Sequence, residues 1–181
     1  MGKKWGSNED IHIGDIFDCI VSNDLGARPE YYQVVALRGR TQVILHAIRS
    51  ETYINEGISE DSPLYWHRKR TRPLPGQFMT EDEMWTKREY QKRGKTIRIT
   101  GEEVTAWVSP DRMPDGRPIL LEVGELPRRW GIYYILAQPK SWEPWDAETI
   151  QKLEEYRRQE AEVLNRRWEG ETDAPWPEYP I

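Results

Sequence analysis

The side chains best suited to chemistry are few in this chain, and they are scattered. His12, His46 and His67 stand far apart, and none has a second ligand at metal-binding spacing. They read as ordinary satisfied or solvent-facing imidazoles, and no metal or cofactor is expected. Cys19 is the single cysteine, which excludes an intrachain disulfide and fits a reducing cytosol. A thiolate nucleophile needs a base beside it, and His46 can lie across a sheet from Cys19. The apolar neighbours of Cys19 speak instead for a buried thiol. Asp115 and Glu122 are spaced as two carboxylates that hold Mg²⁺ can be, with a lysine two residues further on to help activate water. Gly124 stands where that lysine belongs, and Asp115-Gly116 is a common hairpin turn. No catalytic residue is expected.

Residues suited to binding are more abundant. Tyr65 to Thr100 holds ten Lys and Arg against four acids. Trp66, Arg68, Lys69, Arg70 and Arg72 form its densest part, followed by Lys87, Arg88, Lys92 and Arg93. Phosphates attract such cations, and single-stranded bases stack on such rings. The bland alternative is solvated charge or internal pairing. Ser141 to Ile181 has the opposite bias, with five bases against eleven acids. There Glu154, Glu155, Glu162 and Glu169 make a candidate acidic face for a basic partner. Nine Trp and nine Tyr against two Phe supply rings with a polar handle, which suit rims and interfaces as well as a small barrel interior.

The elements that must carry these residues are mostly strands. Asp15–Val21, Tyr31–Leu37 and Thr41–Ile48 are rich in β-branched and aromatic residues, with Gly39 in the link between the last two. Tyr65–Arg72 reads as a basic strand ended by Pro73 and Pro75. Thr80-Glu-Asp-Glu83 is a capping box that starts a short helix over 81–92. Thr96–Ile99 and Val104–Val108 read as a pair around Thr100-Gly101, and Pro118–Val123 and Trp130–Ala137 as further strands. Asp146 caps a helix to Glu169, with Ile150, Leu153, Ala161, Leu164 and Trp168 on one stripe, and Tyr156 and Val163 beside it. The reading is a mainly β (α+β) fold: a small curled antiparallel sheet or SH3-like barrel, one short helix and a long C-terminal helix. Its parts are a flexible N-terminus over 1–10, a barrel-like domain over 11–140, an acidic amphipathic helix over 146–169 and an extended Pro/Trp tail over 170–181. A chain of 181 residues buries roughly 70% of its unfolded surface, enough for a core without staples. No apolar run reaches the ~20 residues of a membrane helix, and no signal peptide is apparent, so a cytoplasmic protein is expected.

Gly14-Asp-Ile-Phe17, Tyr32-Gln-Val-Val35, Gly39-Arg-Thr41 and Ile48-Arg49 resemble a family of small phage and mobile-element proteins with a G-D-I-F, Y-Q-V-V, G-K-T, L-R-x-I pattern. Arg72-Pro-Leu-Pro-Gly-Gln-Phe78 and Asp115-Gly-Arg-Pro118 are similar to its later segments. The likeness runs loosely from Gly14 to Val123 and departs over Ser22–Arg28. It implies a bacterial host cell and a non-enzymatic accessory protein that binds a host protein, such as an RNA-guided nuclease, in the manner of an anti-CRISPR inhibitor of host defence. The alternatives are a nucleic-acid-binding module using 68–98 and an Mg²⁺-dependent nuclease with a degenerate PD-(D/E)xK motif at Asp115 and Glu122.

Overall fold

Six of the strands close on one another. In the computed structural model, β1 (Ile16–Val21), β2 (Tyr31–Arg38), β3 (Gln42–Ile54), β7 (Glu103–Arg112), β8 (Pro118–Glu122) and β9 (Ile132–Leu136) pair antiparallel in the ring β1-β2-β3-β7-β8-β9. A ring has no exposed edges, which a flat sheet of the same strands would carry. β4 (Lys69–Phe78) extends the sheet beside β3, and β5 (Gln91–Lys92) pairs with β6 (Lys95–Thr96). The described residues are 4–21, 29–80, 83, 91–92, 95–96, 103–122 and 132–181. The chain divides into two units: Met1–Glu51 with Pro73–Ser141, and Thr52–Arg72 with Trp142–Ile181.

Alternation along the strands builds the core of the first unit. Phe17, Tyr32, Val34, Val43, Leu45, Ala106, Val108, Leu120 and Tyr134 point inward and are fully buried. The Tyr32 and Tyr134 rings meet edge to face at 5.1 Å, a geometry that aromatic quadrupoles favour. Chain ahead of β1 is sewn to this barrel, which corrects the reading of 1–10 as flexible for residues 4–10. Asn8, buried, donates through Nδ2 to the carbonyls of Gly39 (3.2 Å) and Gln42 (3.0 Å). Arg112 forks onto Asp10, and Trp5 lies on Trp107 at 5.2 Å. Gly6 passes so close that a Cβ there would sit 2.5 Å from the Ser109 carbonyl oxygen. Only glycine fits such a gap.

Three other expectations change. The strand read over Tyr65–Arg72 begins as a 3₁₀ turn, Tyr65–His67. β4 then runs through Pro73 and Pro75. Among the described residues β4 is the end strand of the sheet, the position where a sheet tolerates proline. Of the helix read over 81–92, only residues 83, 91 and 92 are described, and Gln91–Lys92 is strand. The capping box is half made: Glu83 N donates to Thr80 Oγ1 at 3.4 Å, while the Glu83 carboxylate pairs with Arg49. Of the strand read over Thr96–Ile99 only Thr96 is described, and with Lys95 it pairs with Gln91–Lys92.

In the second unit, α1 (Ala147–Trp168) starts at Asp146, whose Oδ1 accepts from Thr149 N at 2.7 Å. Ile150 and Leu153 pack with Leu64, Ile58 and Trp145. The stripe then departs from its expected course. Val163 is buried, whereas Leu164 is 51% and Trp168 93% exposed. The C-terminal segment explains the turn of the buried face. It doubles back through a Schellman motif, with Glu171 N on Arg166 O (3.0 Å) and Gly170 N on Arg167 O (3.2 Å). Arg167 then donates to Ala174 O and stacks over Trp176, and the Tyr156 and Tyr179 rings meet at 5.2 Å. The tail is therefore extended, as read, and docked along α1.

Candidate partner-binding surface

Within the second unit, Thr52–Arg72 and the chain entering α1 assemble a row of guanidinium groups on rings. Successive side chains of a strand alternate sides, so Arg70 and Arg72 share a face of β4, about 6.7 Å apart. Arg68 lies one step ahead of the strand on the same parity. Each arginine lies on a ring: Arg68 on Tyr65 at 3.7 Å, Arg70 on Trp145 at 4.2 Å and Arg72 on Tyr53 at 5.0 Å. Guanidinium over an aromatic face gains roughly 0.5–2 kcal/mol, more as water is excluded. Trp66 continues the row. Its ring meets Tyr65 edge to face at 5.7 Å and is otherwise 85% exposed. Lys69 is exposed on the opposite side of the strand.

Buried polar groups hold the row in place. Asn55 is fully buried; its N–H donates to Arg68 O at 2.7 Å, and its Oδ1 accepts from Trp145 N at 2.9 Å. One side chain thus ties the arginine strand to the tryptophan that receives Arg70. Arg68 Nη1 donates back to Tyr65 O at 3.0 Å, and Tyr53 OH to Trp142 O at 2.8 Å. Tyr53, Asn55 and Trp145 are the members that the sequence does not announce. Asn55 sits in a stretch that reads as loop, and Trp145 stands before a cap residue with no pattern around it.

The structure brings Trp66, Arg68, Lys69, Arg70 and Arg72 together on one short stretch of chain. Lys87, Arg88 and Arg93 lie outside the described residues, as does the side chain of Lys92. The acidic face does not form a free row. Glu154 accepts from Ser62 Oγ at 3.0 Å and lies 3.8 Å from Arg158, which is 3.6 Å from Glu155. Over Ala147–Trp168 acids and bases are equal, five of each. The acid excess lies in the flanking chain, including Glu169.

The remaining chemistry separates. Cys19 shares the inward side of β1 with Phe17 and packs against the barrel core. His46 alternates with the buried Leu45 and Ala47, so it faces outward. Its Nδ1 lies 2.8 Å from Ala47 O and its ring against Phe78. The two cannot form a dyad. Asp115 is held in its turn by Arg117, N on Oδ1 at 3.1 Å and Nε on Oδ2 at 2.7 Å, and by Gln138 at 3.1 Å. The Arg117 N–H, and then its side chain, lower the Asp115 pKa. Glu122 is at the far end of β8, near Tyr134 OH at 3.4 Å. β8 alone sets them about 13 Å apart, too far to share an ion. Among the described residues, no three His, Cys, Asp or Glu side chains group to hold a metal. No described helix is long and apolar enough to cross a membrane.

The fold and this surface define a closed antiparallel barrel unit with a helical unit that carries stacked arginines. Set against known protein families, curated proteins and solved structures, the chain matches none.

Proposed function

We propose that this protein is a binding protein, not an enzyme, and that it engages a protein partner through the arginine–aromatic row of its second unit. The observation that carries this reading is the row itself: Arg68, Arg70 and Arg72 stacked on Tyr65, Trp145 and Tyr53, with Trp66 open beside them. Arg, Trp and Tyr are the residues that dominate interface energetics. Stacking fixes their rotamers before a partner arrives, which lowers the ordering cost of association. The unit holding the row has nine bases and fourteen acids, a balance suited to a protein surface with its own basic regions. For the partner we put first a nuclease of bacterial defence of the RNA-guided kind, inside the host cell, as the sequence resemblance implies.

The test is a pull-down and a cleavage assay with a purified type II nuclease. Retention of the nuclease and loss of cleavage are expected, both weakened at least tenfold by Trp66→Ala. Full cleavage with no retention removes the nuclease as partner. A second reading, supported by Trp66 lying exposed beside three guanidinium groups, is binding of single-stranded nucleic acid.

A further inference from the structure

We infer that α1 is a self-association surface, on which two copies of this chain pair antiparallel through Ala161, Leu164 and Trp168. At 3.6 residues per turn, positions 150, 153, 157, 161, 164 and 168 fall within an arc of about 80°. The first half of this stripe is covered, since Ile150 and Leu153 pack with Leu64, Ile58 and Trp145. The second half is open, with Leu164 half exposed and the whole Trp168 ring in water. An apolar stripe that runs on past its cover is costly to leave wet.

Charge order along the same helix favours a second copy as the cover. Arg157-Arg158-Gln-Glu160-Ala-Glu162 is succeeded by Arg166-Arg167-Trp-Glu169-Gly-Glu171. Both segments place two bases ahead of two acids. A second copy running the opposite way brings the bases of one segment towards the acids of the other. With Ala161 against Leu164 of the other copy, Arg158 comes within reach of Glu169, twice by symmetry. The pairing is self-complementary, as a two-fold interface requires. The contacts Arg158 now makes, near Glu155 at 3.6 Å and Glu154 at 3.8 Å, are loose surface ion pairs. Such pairs are worth little and exchange readily. This face is distinct from the arginine row, and its test needs no partner protein.

Sedimentation equilibrium of the purified chain at micromolar concentrations should show a monomer–dimer equilibrium. Leu164→Asp, at an exposed position, should leave the circular dichroism unchanged and abolish the dimer. Arg158→Glu should weaken it several-fold, and Arg158→Glu with Glu169→Arg should restore it. A wild-type monomer at the highest concentration, or a dimer that Leu164→Asp leaves intact, overturns the inference. A dimer indifferent to both charge changes overturns the antiparallel register.

Discussion

Asp18 shows how one side chain couples the barrel to pH. It alternates with the inward-facing Phe17 and Cys19 on β1, so it points away from the core yet remains half-buried. Burial pushes its pKa up to about 6, against the pull of Arg117 and with help from Glu30. The folded form therefore holds a proton that the unfolded chain has released. Stability contributed by the neutral carboxyl is present near pH 4, falls as pH rises towards 6 and stays lost above it. Asp18→Asn should raise the melting temperature at pH 7 and flatten its pH dependence between about 4 and 6. An unchanged slope in thermal melts across that range would show that Asp18 stays hydrated. Asn55 divides its effect: its N–H and Oδ1 bonds tie two segments together, while its buried Nδ2 has no partner among the described residues and offsets part of that gain. Neither role can be read locally. Asp18 looks like any strand-face acid, and Asn55 like any loop amide.

At the scale of elements, helix α1 takes its buried face from the C-terminal tail that returns along it. Amphipathic spacing correctly places the helix and its Asp146 cap, because capping and periodicity are local. It misplaces the buried stripe in the second half: the returning tail engages Tyr156 and Arg167, Val163 is buried and Leu164 stays bare. Gly170, at φ 114°, makes the return possible. A side chain there is strained, so Gly170→Ala should cost about 1 kcal/mol and loosen the tail. Faster amide exchange around Ala174, buried in the wild type, is the measurement that checks it. Prolines carry a similar lesson in β4. Pro73 and Pro75 look like strand breakers until the strand is known to lie at the end of the sheet, the position where proline is tolerated.

For the whole molecule, charge is divided by unit. The second unit carries all of the net −5, and the first balances to zero. That division weighs against the nucleic-acid reading, because an acidic unit repels phosphates even where three arginines gather. Single-stranded DNA or RNA should bind only at low ionic strength, with affinity falling steeply as salt is added. Tight binding at about 0.15 M salt, lost in Trp66→Ala, would replace the protein partner with a nucleic acid.

The amino-acid order alone determined the β-rich class, most strand positions, the caps and the reach of the C-terminal helix. These arise from periodicity, β-branching and hydrogen bonds between near neighbours. Closure of six strands into a ring, the N-terminal segment stitched by Asn8 and the arginine row assembled on Tyr53 and Trp145 were decided only in three dimensions. Asn55 and Trp145 are 90 residues apart along the chain. Contacts across such separations depend on how every intervening element packs, and no local pattern records that.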